Sequence, residues 1–211
     1  MDNKKACSNK SINIIIEDKF NLWTKNLGLR LAMISVFEHI RDIPYIITPD
    51  LNDIIHGPAG LLNGNKGSCQ PKHYLLKQMF EKLNIPVKFV TYLFRWDISS
   101  VQYPDELRSI VSKLPISYHL ACKAYINQKW VVVDATWDLP LKKAGFPVNE
   151  SWDGESDTLI AVIPIEENVQ ESAEDRIEYE MKKKNLYSDQ EKHLYVEFVN
   201  KFNTWLEDIR K

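Results

Sequence analysis

Cysteine is scarce in this chain, with three residues in 211: Cys7, Cys69 and Cys122. They cannot all pair with one another. No Cys-x-x-Cys, Cys-x-x-His or His-Glu-x-x-His spacing is present, so no metal signature is found and no metal is expected. Charge of one sign is equally lacking. Lys and Arg total 27 against 29 Asp and Glu, a net charge of −2. Such a balance gives no electrostatic footprint for nucleic acid or an anionic membrane, and neither is an expected partner. Long apolar runs are missing too. Ile12 to Ile16, behind the polar, basic stretch Met1–Lys10, is too short for a signal-peptide core, and nothing approaches the ~20 apolar residues of a membrane span. A cytoplasmic location is expected, where thiols stay reduced and a free cysteine can act as a nucleophile. There is no internal repeat and no low-complexity tract.

Core-forming material is plentiful: 44% of residues are hydrophobic and 11% aromatic. That suits one full domain, or a domain with an appendage. Apolar residues recur at helical spacing from Ile12 to Ile43, with Gly28 as a break. Pro44 to Gly67 is rich in Pro, Gly, Asn and Asp and reads as a long irregular connection, the kind of loop that often carries function. A helix is expected over Cys69–Leu83, stopped at Asn84-Ile85-Pro86, followed by a strand at Val87–Phe94. Pro104–Leu114 reads as a short helix or covering loop. Tyr118–Ile126 and Trp130–Trp137 read as a hairpin, and Thr158–Pro164 as a further strand. From Glu166 the chain is highly charged, with helices expected over Ser172–Lys184 and Ser188–Ile209. The latter buries Leu194, Phe198, Phe202, Trp205 and Ile209. Residues 1–165 are thus expected to form the main domain and 166–211 a charged helical extension.

Chemistry concentrates at three places. Cys69 follows Gly67-Ser68 at a helix start, where exposed N–H groups favour thiolate over thiol. A nucleophilic cysteine needs a base, and the base needs a third group to orient it. His119 and Asp134 lie on the two strands of the hairpin. With Asn127-Gln128 as a two-residue loop, Ile126 pairs with Lys129 and Asp134 falls opposite Ala121. That is one diagonal step, about 7–8 Å, from His119 on the same face. A three-residue loop would put them on opposite faces. The same parity turns Cys122 away from His119, into packing.

These residues resemble the transglutaminase-like superfamily. Gly67-Ser68-Cys69 opening a helix and Leu83-Asn84-Ile85-Pro86-Val87 leading into a strand are similar to its nucleophile helix. Tyr118-His119-Leu120 and Trp130 to Trp137 resemble its histidine and aspartate strands, and Ile40 to Tyr45 resembles the segment before its active-site loop. The likeness runs from about Phe37 to Trp137. Ala121 stands where the family often has an aromatic residue, and Gln70 and Pro71 follow the cysteine where many relatives differ. The resemblance implies an α+β, papain-like core with the nucleophile helix packed on an antiparallel sheet, here with extra N- and C-terminal helices. It implies a Cys69, His119, Asp134 triad attacking an amide of a peptide or protein through a thioester, and no cofactor. Hydrolysis, as in a protease or amidase, is the first expectation. Transamidation, or a silent binding module that keeps the fold, is the alternative. Trp137, Tyr118 and Ser68 are expected to line the substrate site. His73, four residues after Cys69, is a rival base. Asn63 and Asn65 are candidate oxyanion donors beside the Cys69 N–H, and His56 a loop residue beside the cleft.

Overall fold

Gly28 divides the N-terminal helical pattern in two. The structure, a computed structural model, describes residues 14–183 and 187–211. Residues 14–24 form α1, and Leu29–Arg41 form α2 with Gly28 at its N-cap. Ile12, Cys7 and the stretch Met1–Lys10 lie outside the described residues. The elements that follow are α3 (Gly57–Gly64), α4 (Cys69–Lys82), β1 (Val87–Phe94), α5 (Asp105–Val111), β2 (Ser117–Ile126), β3 (Lys129–Val133), β4 (Glu166–Gln170), α6 (Ala173–Lys183) and α7 (Asp189–Arg210), with short 3-10 turns at Pro49–Leu51 and Leu139–Ala144.

The four strands form one antiparallel sheet in the order β3-β2-β1-β4. On one face α4 packs against Phe89, Leu120 and Cys122; on the other, a small cluster of Val90, Tyr92 and Ala121 is covered by Ile160 and Val162. This is the α+β layout of a helix on an antiparallel sheet that the sequence implies. The hairpin has the even loop: Ile126 pairs with Lys129 and Cys122 with Val133. Asn127 (φ 48°) and Gln128 (φ 65°) are both left-handed, the backbone of a two-residue turn whose twist matches its strands.

Three local expectations are corrected. The Pro- and Gly-rich stretch before Cys69 holds a helix, α3, where an irregular loop is expected. Its glycines permit close packing: a Cβ on Gly57 would stand 2.3 Å from the Leu51 carbonyl oxygen, and one on Gly60 2.5 Å from the Leu51 side chain. Residues 166–170 are not part of a helical extension but strand β4, laid along β1. Residues 158–164 form no ladder; they run as an irregular segment with a bend at 161–162, tied to β3 by the Thr158 N–H on the Val132 carbonyl, 3.0 Å.

α7 starts at a capping box in which the Ser188 hydroxyl accepts from the Glu191 N–H and the Glu191 carboxylate accepts from the Ser188 N–H. Its Phe198, Phe202 and Leu206 are fully buried, both phenylalanines against Trp96 and Phe202 also against Phe146. Burial of each is worth roughly 1.5–3 kcal/mol, so this charged segment contributes to the central core. Among the described residues, no helix is long and apolar enough to cross a membrane.

Candidate active site

Cys69 is the first residue of α4, with Ser68 at the N-cap in extended conformation. The backbone before it is held by pairing: Tyr45 bridges Gly67, the Gly67 N–H donates to the Pro44 carbonyl (3.1 Å), and the Ile46 N–H to the Gly67 carbonyl (3.2 Å). The helix therefore begins at a fixed point.

β3 ends at Val133, and Asp134 follows at once. The extrapolated register sets it opposite Ala121, on the His119 face. His119 Nε2 lies 2.7 Å from Asp134 Oδ2, and both side chains are buried. A carboxylate taken out of water is costly unless its lone pairs are used. Here Oδ2 also accepts from the Ala161 N–H (2.8 Å), while Oδ1 accepts from the Thr136 hydroxyl (2.6 Å) and N–H (3.2 Å). Burial raises the Asp134 pKa, but the charge and hydrogen bond of His119, with His73 and Thr136, hold it well below the usual carboxylate range.

With Nε2 committed to Asp134, Nδ1 is the nitrogen of His119 left free, and the charge of His119 and that of the Cys69 thiolate act on one another. Burial opposes charge on both. For His119 the Asp134 charge outweighs it, with the Asp134 and Cys69 hydrogen bonds adding, and the imidazole is held protonated well above its ordinary range. For Cys69 the His119 hydrogen bond and charge, with the Leu120 N–H, outweigh burial and lower the thiol pKa. His119 and Asp134 are thus brought together as a buried hydrogen-bonded pair, and the His119 charge favours the thiolate form of Cys69. Cys122 is separate: its thiol donates to the His73 carbonyl (3.5 Å), and burial pushes its pKa up.

The flanking residues divide. Ser68 is buried at the N-cap beside Cys69 and makes no capping bond. Trp137 is also buried; its indole donates to the Ala161 carbonyl (2.8 Å) and its ring lies 4.4 Å from that of Tyr45. It lines a cavity of about 120 Å³ together with Phe94, Trp96, Tyr103, Ala161 and Val162. No triad side chain is part of that wall. Tyr118 points to the side of β2 away from His119, with Tyr179 and Tyr187 as ring neighbours. Asn65 caps α3 in left-handed conformation and borders a cavity with Trp23 and His39, apart from the triad. His56 pairs with Asp53 on the surface (2.7 Å). Among the described residues, no group of three His, Cys, Asp or Glu side chains is arranged to hold a metal.

His73, marked as a rival base, and residues the sequence did not mark complete the surroundings. Thr136 and Ala161 bind the Asp134 carboxylate. Lys72 is buried on α4, its ammonium donating to the Arg41 (2.9 Å) and Thr136 (2.7 Å) carbonyls. His73 is buried next to it.

Neither a family profile nor a curated protein matches the sequence. Among solved structures, the chain is similar to a protein of Cytophaga hutchinsonii described as a candidate cysteine protease, at 15% identity and a TM-score of 0.43, over 75% of this chain and 50% of that one. It is also similar to a transglutaminase at 13% identity and a TM-score of 0.37, over 66% of this chain and 34% of that one. The chain therefore spans half the length of the first and about a third of the second. The fold has its own order of parts: a cysteine heads the helix that packs on an antiparallel sheet, and a histidine on β2 and then an aspartate just after β3 follow it in the chain.

Proposed function

We propose that this chain is a cysteine-nucleophile acyl-transfer enzyme acting on an amide of a peptide or protein, with Cys69 as nucleophile, His119 as general acid and base, and Asp134 as its orienting group. The observation that carries the reading is the buried His119–Asp134 pair, its carboxylate four-bonded, with Cys69 at the head of α4 under the influence of the His119 charge. In the forward step the Cys69 thiolate forms a bond to the amide carbonyl carbon. The C–N bond then breaks as imidazolium His119 gives its proton to the leaving amine, and a thioester remains. His119, now neutral, takes a proton from water as the water oxygen attacks the thioester. The acid leaves, and the Cys69 thiolate and His119 imidazolium are restored. An amine in place of water would give transamidation. The Cys69 N–H, at the helix start, supports the oxyanion. Ser68 beside the nucleophile and Trp137, whose indole is bonded to the Ala161 carbonyl, are the residues we assign to substrate contact. A free thiol nucleophile suits a reducing compartment such as the cytoplasm.

One observation favours a second reading, a silent binding module. Cys69 is only 8% exposed and His119 3%, so a substrate must reach a largely covered sulfur. The discriminating experiment is the rate of Cys69 alkylation by iodoacetamide against pH, by peptide mass spectrometry, in wild type and His119→Ala. Rapid labelling well below the free-thiol pKa of ~8.5, lost in the variant, is expected of the enzyme. Labelling that only tracks ordinary thiol ionisation in both proteins refutes the triad.

A further inference from the structure

Two histidines surround one carboxylate at this site. The rings of His73 and His119 lie edge to face with centroids 6.0 Å apart, and His73 Nε2 is 3.6 Å from Asp134 Oδ1. His119 has the direct bond to Asp134. The partners of His73 assign it a different part. Its Nδ1 is 2.8 Å from the Cys69 carbonyl oxygen, which can only accept, so Nδ1 carries the proton. Its Nε2 is 3.1 Å from the Ala135 backbone nitrogen, which can only donate, so Nε2 carries none. The ring is neutral and its tautomer is fixed from both sides.

The first of these bonds is ordinary: His39 and His193 make the same Nδ1 contact with the carbonyl four residues back in their own helices. What sets His73 apart is complete burial and the second bond, which reaches the residue next to Asp134. Lys72, one position earlier on α4, grips the following residue through the Thr136 carbonyl. Consecutive side chains of the nucleophile helix therefore hold consecutive residues of the aspartate loop, one by accepting and one by donating.

We propose that His73, assisted by Lys72, is a positioning residue that fixes the nucleophile helix against the Asp134 loop, and so sets the Cys69–His119 contact. This rests on the triad reading above. An apolar residue would fill the space of His73 but supply neither bond, and it would leave the Ala135 N–H buried without its acceptor. A displacement of about 1 Å between reacting groups is enough to lower reactivity severely. A second proton on His73 is disfavoured by burial, against the pull of Asp134, and its pKa is lowered to about 4. Asp134, His119 and Lys72 are the charged groups that face it.

The test is Cys69 alkylation by iodoacetamide from pH 5 to 10 in wild type, His119→Ala, His73→Leu and His73→Gln, with ¹⁵N-histidine NMR of the wild type. In His73→Leu the rate at pH 6 is expected to fall about tenfold, equivalent to one unit in the thiol pKa, and to match wild type above pH 9. His73→Gln, whose carboxamide has a donor and an acceptor, is expected to recover part of the loss. A wild-type profile in His73→Leu overturns the proposal while leaving the triad intact. A wild type with no acid-side labelling, or indifferent to His119→Ala, defeats the triad reading instead. Should His73→Leu not fold, the NMR decides: a neutral ring protonated at Nδ1 throughout pH 5–8 supports the assignment, and an Nε2–H ring or an ordinary titration overturns it.

Discussion

The carboxamide of Asn203 and the backbone of Ile47 make a paired hydrogen bond, N–H to Oδ1 at 2.8 Å and Nδ2 to the carbonyl at 3.0 Å. About two turns further along α7, Arg210 binds Asp138 through two nitrogens (2.9 and 2.6 Å) and the Tyr45 carbonyl (2.8 Å). Residues 45–47 are thus held by α7 on one side while Tyr45 bridges Gly67, two residues before Cys69, on the other. The C-terminal helix is coupled to the nucleophile through one short segment. Arg210→Met leaves Asp138, 2% exposed, without its cation, and breaking a buried pair costs about 3–5 kcal/mol. Asn203→Leu removes neutral bonds and is expected to cost about 1–3 kcal/mol. Urea unfolding gives both values; an Arg210→Met loss no larger than that of a surface substitution, about 0.5 kcal/mol, would rule out the latch.

The two described cysteines should differ sharply in reactivity. Cys69 has its pKa lowered by His119 and the Leu120 N–H against burial, while burial raises that of Cys122 and outweighs the charge of Lys77. At pH 7 iodoacetamide is expected to modify Cys69 and spare Cys122 in native protein, and to reach both after unfolding. Peptide mapping checks this. Equal labelling of the two in native protein would contradict the assigned electrostatics.

These differences were partly legible in the sequence, and the boundary follows the range of the interactions. The helix start at Gly67-Ser68-Cys69 and the alternation of His119 against Cys122 are local, so spacing alone places them. The parity of the hairpin needs only the length of its turn. β4 is illegible because its pairing is with β1, some 80 residues away by register, and its exposed Glu166 and Glu167 carry charge, as edge strands commonly do. α3 was hidden because its glycines answer to Leu51, a contact that composition cannot show. His73 shares a helix face with Cys69 by spacing, but its partner Ala135 and the Ala161 N–H that completes Asp134 arrive by tertiary packing. Burial of Lys72 is the least readable feature, since a lysine at that position ordinarily lies in water.

The turn offers a test of register that leaves the site untouched. Asn127 and Gln128 both adopt positive φ, which glycine adopts freely and glutamine does not. Gln128→Gly is expected to raise stability by about 1 kcal/mol, without changing Cys69 alkylation. Inserting one residue after Asn127 moves every later β3 side chain to the other face. That variant should lose acid-side labelling of Cys69. If both variants behave alike in labelling, the hairpin parity does not place Asp134.

Stability should depend on pH through His73. An unfolded histidine has a pKa near ~6.5, and in the fold burial lowers that of His73 to about 4. Between these values the unfolded chain binds the additional proton and the native state does not, so stability falls as pH drops through this window. His119 acts in the opposite sense: Asp134 raises its pKa against burial, so its contribution is complete below ~6.5 and is lost as pH rises toward its folded value, about 10. The acid window therefore isolates His73 from His119, though not from the carboxylates below it. Comparison of urea unfolding at pH 4.5 and 7 in wild type and His73→Gln removes that overlap. Wild type is expected to lose more stability on acidification than the variant, by about one to three kcal/mol, the value of a shift of that size in a buried group. Equal losses would mean that His73 takes up its proton in the fold over the same pH range as in the unfolded chain, and that Ala135 donates its N–H elsewhere.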